Sequence, residues 1–200
     1  VAHALEFAHE NQVLHLDIKP ANILIDRQGQ VKVTDFGLAR LSDIWGYSAA
    51  NGGTIGYMPP EQMRQEPLDA RCDEWALASV LYEMISGRNP FAARSIPDAI
   101  QVIENAEIVL PSLCMEGLPD QADDVIFYAL DPDRNERYSS VRDFDDELAH
   151  YLGDEAMGRR QIQSALSSYL VDDGSQPDQT SSMWTSGFSA LKPKFERLGG

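Results

Sequence analysis

From Glu74 to Ser86 the chain sets apolar side chains on every side of a helix: Trp75, Ala76, Leu77, Ala78, Val80, Leu81, Tyr82, Met84 and Ile85. A helix that is apolar all round is stable only when buried, so this one must run through the middle of a domain whose other elements wrap it. Gly87 supplies its stop, since glycine enters the left-handed conformation that ends helices without a side-chain clash. The remaining periodic stretches suit the wrapping role. Pro97 to Glu104 carries Ile100 and Ile103 on one stripe, Ala122 to Leu130 carries Val125, Ile126 and Ala129, and Val141 to Leu152 carries Phe144, Leu148 and Leu152. Each pattern predicts an amphipathic surface helix. Ser139 or Ser140 is placed to cap the last one. At the front, Ala4, Leu5 and Ala8 give a further helix one buried face, with His3, His9 and Glu10 on its polar side.

Between the first helix and the central one the pattern changes period. Val13 to Leu16 predicts a short apolar strand, and Ile23-Leu24-Ile25 with Val31-Lys32-Val33 predicts a β-hairpin closed by Asp26-Arg27-Gln28-Gly29. Positions 38 to 60 are rich in Gly, Ser and Asn and end in Pro59-Pro60, a loop composition with no helical period. Loops of that length inside compact domains usually serve function. The expected fold class is therefore α+β and mainly helical, with one small hairpin sheet and a buried central helix. Residues 1–152 form its body. Residues 153–171 read as a helical extension, through Ile162, Ala165, Leu166 and Tyr169. Residues 172–200 read as a linker or disordered tail, since Ser, Gly, Gln, Pro and Asp dominate and Trp184, Phe188 and Phe195 show no sustained period.

Composition narrows the partners. With 200 residues and 43% hydrophobic content the chain can bury one sizeable core. A formal net charge of -16 argues against nucleic acid or an anionic membrane as the main partner, because an acidic surface repels both. Cys72 and Cys114 stand far apart without metal-ligand spacing and read as reduced core thiols of a cytoplasmic protein. No apolar run approaches the roughly 20 residues that span a bilayer. A membrane anchor elsewhere in a full-length protein stays open. The chain starts at Val1, inside a helical pattern and with no basic-then-apolar leader, which is the expectation for a fragment.

Two strings carry the chemistry: His15-Leu16-Asp17-Ile18-Lys19-Pro20-Ala21-Asn22, and Asp35-Phe36-Gly37 after the hairpin. Phosphoryl transfer needs a group that orients the nucleophilic hydroxyl and metal ions that neutralise phosphate charge, with little covalent participation by the protein. Asp17 can accept the hydroxyl's hydrogen bond or proton, and Lys19 can offer its ammonium to the transferring phosphate. Asn22 and Asp35 supply hard oxygen ligands of the kind Mg²⁺ takes while phosphate and water complete its shell.

At these residues the chain resembles the eukaryotic-type protein kinases, specifically the C-terminal lobe of a bacterial Ser/Thr kinase, over about residues 1–152. His15-Leu16-Asp17 resembles the catalytic-loop H-R-D, Asp35-Phe36-Gly37 matches the metal-binding D-F-G, and Pro59-Pro60-Glu61 resembles A-P-E, in the family's order. The resemblance implies Asp17, Lys19 and Thr54 as catalytic-site residues, with Thr54 bonding to Asp17 and Lys19. It implies Lys19, Asn22, Leu24 and Asp35 at the nucleotide, and Asn22 and Asp35 at Mg²⁺ or Mn²⁺. His15, Phe36, Gly37, Glu61, Asp73 and Arg137 fall at its supporting positions: His15 packs near Phe36, Asp73 braces the catalytic-loop backbone, and Arg137 pairs with Glu61. ATP and protein substrates follow as implied partners.

Acceptor class also comes from the resemblance. Lys19 stands where tyrosine kinases usually have another loop pattern, and Gly53-Thr54-Ile55-Gly56-Tyr57 resembles the Ser/Thr-type segment before Pro59-Pro60-Glu61. Ala21 occupies a position where kinases preferring basic substrates often carry glutamate, so it signals no such preference. Leu16 replaces the family's arginine, which grips a phosphate on the activation loop; switching is therefore expected not to depend strongly on phosphorylation there, where Ser42 and Ser48 are the candidate sites. No Gly-rich G-x-G-x-x-G loop, strand lysine or partner-glutamate helix precedes the catalytic loop, so the N-terminal lobe is absent from this chain. The isolated 200 residues are expected to bind ATP poorly and to show no measurable transfer. Three readings stand: an active Ser/Thr protein kinase, a pseudokinase or truncated scaffold acting as a binding module, and a small-molecule kinase. The last is disfavoured by the Thr54–Glu61 segment.

Overall fold

A computed structural model describes residues 1–26, 28–36, 55–105, 108–152, 160 and 162–164. Its elements are α1 (Ala2–Glu10), β1 (Ile23–Ile25), β2 (Val31–Val33), α2 (Pro60–Met63), α3 (Arg71–Ser86), α4 (Ile96–Asn105), α5 (Pro111–Cys114), α6 (Gln121–Ala129) and α7 (Val141–Leu152). Short 3₁₀ turns occupy Pro20–Asn22 and Ile55–Tyr57.

The reason α3 is apolar all round is that it separates two cores. On one side Trp75, Ala78 and Tyr82 pack with Ile55, Phe91, Ile103, Val125, Ile126 and Phe144. On the other, Ala76 and Val80 pack with Leu5, Ile18, Ile23 and Val141, and Leu77 touches both sets. The helix ends as the sequence predicts, at Gly87 with φ 77° and its N–H donating to the Glu83 carbonyl at 2.9 Å. It begins three residues before the apolar run, at Arg71, so that Asp73 and Glu74 are drawn into the interior with it.

The hairpin forms in the register Ile23↔Val33, Leu24↔Lys32, Ile25↔Val31. Asp26 shapes its turn, accepting at Oδ1 from the N–H groups of Gln28 and Gln30, while Gly29 takes the left-handed φ of 74° that the turn requires. Helix α7 spans Val141–Leu152 as predicted, and Ser140 is its cap: Oγ accepts the Asp143 N–H at 3.1 Å. An ion pair between Arg142 and Glu6 at 2.7 Å ties α7 to α1.

Several expectations need correction. Val13–Leu16 is not a strand, because among the described residues no neighbouring strand offers it a ladder and its backbone is bound instead by the side chain of Asp73. In α1 the buried positions are Ala2, Leu5 and Ala8, and Ala4 is exposed. Cys72 is buried, whereas Cys114 is exposed at the end of α5, a short helix that the sequence did not announce. Within the stretch read as loop, Ile55–Tyr57 makes a 3₁₀ turn, and the last residue of the stretch, Pro60, opens the helical turn α2. Residues 160 and 162–164 are helical; the rest of 153–171 and all of 172–200 lie outside the described residues, as do Gly37, Ser42, Ser48 and Thr54. Among the described residues no helix is long and apolar enough to cross a membrane.

Candidate active site

The loop from Val13 to Lys19 has no regular structure, so its shape comes from side chains that reach it from elsewhere. Asp73, in the first turn of α3, accepts the His15 N–H at Oδ2 (2.8 Å) and the Leu16 N–H at Oδ1 (2.7 Å). These two bonds hold Leu16 at φ 63°, in the left-handed region where a branched side chain is strained. His15 is fully buried, and its ring meets Phe36 edge-on with centroids 4.7 Å apart. Its Nε2 lies 2.8 Å from the Thr34 carbonyl, which can only accept, so Nε2 carries the proton. Nδ1 is then a bare acceptor, and it receives the Asp17 N–H at 3.3 Å. With Nε2 donating and Nδ1 accepting, both ring nitrogens are engaged and the imidazole serves as a brace.

Asp17 is the next residue, and its carboxylate is held at one oxygen. Oδ2 accepts from Lys19 Nζ at 2.7 Å and from Asn22 Nδ2 at 3.1 Å, and Asn22 Nδ2 also donates to the Asp17 carbonyl at 2.8 Å. The Asp17 and Lys19 side chains are 32% and 23% exposed, which suits groups lining an open cleft. Oδ1 is left without a hydrogen bond from the described residues.

The hairpin brings the second carboxylate alongside. One step beyond the Ile23↔Val33 pair, the Asn22 carbonyl accepts the Thr34 N–H at 2.9 Å, which sets Asp35 beside Asn22 at the open end of the sheet. Asp35 is exposed and adopts φ 65°, a left-handed conformation that aspartate tolerates better than most residues. Leu24 lies half-buried on β1, opposite Lys32.

A second layer fixes this one. Arg137 grips Glu61 in a fork, Nη1 to Oε1 at 2.8 Å and Nη2 to Oε2 at 2.9 Å, both buried, and its guanidinium lies 4.6 Å over the Trp75 ring. Gln62, next to Glu61 on α2, donates from Nε2 to the Leu16 carbonyl at 3.2 Å. Tyr57 donates its hydroxyl to Glu83, and burial beside that carboxylate pushes its pKa well above the ordinary range. Glu74 is fully buried, and desolvation pushes its carboxyl up to about 8.

Sequence reasoning missed three of these residues. His9 was assigned to a polar face, yet its side chain is only 12% exposed and Nε2 donates to Asp73 Oδ2 at 2.8 Å. Asp73 therefore carries three donors. Gln62 and Glu74 gave no signal at all, because nothing local marks a polar side chain that a distant segment will cover.

The model of a family described as protein kinase domain matches residues 1–151. The chain is 33% identical over 213 aligned residues to a probable serine/threonine-protein kinase PknB of Bifidobacterium longum, covering 96% of this chain and 31% of that protein. It is 38% identical over 149 residues to serine/threonine-protein kinase PknB of Mycobacterium tuberculosis, covering 72% of the chain and 24% of the relative. A probable serine/threonine-protein kinase of Corynebacterium efficiens is 48% identical over 99 residues, covering 48% and 15%. The chain thus spans less than a third of the length of these relatives.

Proposed function

The chain belongs to the protein kinase domain family, and from that membership we propose that it is the catalytic-loop lobe of an ATP-dependent kinase acting on serine and threonine hydroxyls of proteins. Membership in the family implies ATP and a divalent metal ion. The observation that carries the reading is the Asp17 carboxylate, fixed at Oδ2 by Lys19 and Asn22 and, among the described residues, without a hydrogen bond at Oδ1.

In this reading Oδ1 accepts the hydrogen of an incoming hydroxyl and aims its oxygen, while Oδ2 remains anchored. The Lys19 ammonium beside it offsets charge on the transferring phosphoryl group. Asn22 spends its amide nitrogen on Asp17, so its oxygen is left for a cation, and Asp35 presents an exposed carboxylate next door. That donor set suits Mg²⁺ or Mn²⁺, and the ion when bound would neutralise phosphate charge. Leu24, on the adjoining strand, belongs with the nucleotide contacts in this reading, and Thr54 joins Asp17 and Lys19. The supporting residues are His15, Phe36, Gly37, Glu61, Asp73 and Arg137.

We assign residues 1–152 to the catalytic lobe, 153–171 to a helical extension and 172–200 to a linker, with the lobe in the cytoplasm, where ATP is available and the free thiols Cys72 and Cys114 stay reduced. The intact Asp17, Lys19, Asn22 and Asp35 favour an enzyme over a scaffold. In a full-length form, ATP-dependent labelling of protein serine and threonine is expected, and Asp17→Asn should lower kcat by roughly 10²-fold or more. Near-normal turnover in that variant would remove Asp17 from the mechanism.

A further inference from the structure

We propose that Gln62 is a positioning residue for the catalytic loop, acting through the Leu16 carbonyl to set the orientation of Asp17. Leu16 is held in a strained left-handed conformation, and such conformations persist only where the surroundings over-determine them. Both of its backbone polar groups are taken by side chains from other elements. The N–H goes to Asp73 Oδ1 at 2.7 Å, and the carbonyl goes to Gln62 Nε2 at 3.2 Å.

That carbonyl belongs to the planar Leu16–Asp17 peptide, so fixing its oxygen fixes the plane that carries the Asp17 nitrogen and hence the direction in which the Asp17 side chain leaves the backbone. Among the described residues, the other edge of the plane has the 3.3 Å bond from Asp17 N–H to His15 Nδ1 alone. Without Gln62 the peptide is restrained weakly on one side.

Gln62 is well fitted to this task. It is 6% exposed, and its neighbour Glu61 is clamped by Arg137, so the base of its side chain does not wander. A carbonyl accepts only from the amide nitrogen, which settles how the Gln62 amide is turned. The link carries no net charge and needs no phosphate. It joins α2 to the catalytic loop at Leu16, the residue that stands in the family's arginine position. In this chain the loop is therefore held by a constitutive neutral bond, a statement that deepens the kinase reading and, for its catalytic consequence, rests on it.

Two measurements test it. In the 200-residue chain, Gln62→Met keeps length and apolar bulk without a donor, and amide exchange at residues 15–18 should accelerate about fivefold, the scale of one lost hydrogen bond, with α6 unchanged. In a full-length form, the same variant should lower kcat about tenfold or less with KM for ATP unchanged, and Gln62→Glu, which sets a carboxylate against the carbonyl, should be worse. Unaltered exchange at residues 15–18 overturns the link. Wild-type kcat in Gln62→Met, or equal losses of kcat, ATP affinity and melting temperature, overturns the positioning role. A wild-type protein that labels no substrate sinks the kinase reading, and the exchange measurement then decides the link by itself.

Discussion

Glu74 reaches the backbone of Tyr138 with one carboxyl oxygen, Oε1 accepting the N–H at 3.2 Å, while Oε2 meets no donor among the described residues in an interior closed to water. Arg137 is near enough to favour the ionised form but is committed to Glu61 and to the carbonyls of Asp131 and Arg71. Desolvation therefore dominates, and the carboxyl rises from about 4.5 to about 8.

A raised carboxyl pKa makes stability fall with pH. Below about 4.5 both folded and unfolded chains hold the proton; between there and about 8 only the folded chain does, and above 8 neither. Across that window Glu74 should remove about 1.4 kcal/mol of stability per pH unit at most. A glutamine in its place cannot ionise, so the advantage of Glu74→Gln over wild type should grow from near zero at pH 5 to a few kcal/mol at pH 8 by urea denaturation. A pH-independent difference between the two proteins would show that Glu74 titrates normally.

The Glu61–Arg137 fork makes a different prediction. Arg137→Ala strands a buried carboxylate and bares the Trp75 ring, and it should cost about 3–5 kcal/mol of stability. Arg137→Lys keeps the charge without the bidentate geometry and should recover only part. A loss under about 1 kcal/mol in the alanine variant would contradict the clamp.

Asp73 and His9 form an ordered pair of tests. Asp73→Ala leaves the His15 N–H, the Leu16 N–H and His9 without their acceptor, at about 1–3 kcal/mol for each group left orphaned. His9→Ala removes one donor of three and should cost about 1 kcal/mol. Thermal melts that rank His9→Ala as the more damaging would contradict the bracing geometry.

Leu16 leads to a prediction about regulation. An apolar side chain cannot grip a phosphate, so in a full-length form Ser42→Ala with Ser48→Ala should leave phosphotransfer close to wild type. Abolished transfer in the double variant would mean that loop phosphorylation orders the site by some other cation.

What could be read in advance followed from short-range pattern. Ile100 and Ile103, Val125 and Ile126, and Phe144 with its Ser140 cap announced their helices, because period and capping are written within a dozen residues. Ile23–Val33 announced the hairpin for the same reason, and Asp17, Lys19 and Asn22, close in sequence, come together in one hydrogen-bonded group. Long-range burial was not legible. His9 looked like a surface residue because its partner lies 64 positions away. Glu74 opens the apolar run without any local mark of burial, and it is drawn inward because α3 starts at Arg71. Val13–Leu16 has the residues of a strand, but the described residues offer it no partner strand and the N–H groups of His15 and Leu16 go to the distant Asp73.

Asp73 follows His15 by 58 residues, and Arg137 follows Glu61 by 76. A ribosome delivers the chain from its N-terminus at roughly 5–20 residues per second, so Asp17, Lys19 and Asn22 emerge seconds before the helix that shapes their loop and longer before the fork beneath it. The side chains of the candidate site are synthesised early and fixed in place late. A nascent or prematurely terminated product ending short of Arg137 would carry Asp17, Lys19, Asn22 and Asp35 yet lack the anchor for Glu61, so the candidate site gains its last support only once translation has passed Arg137.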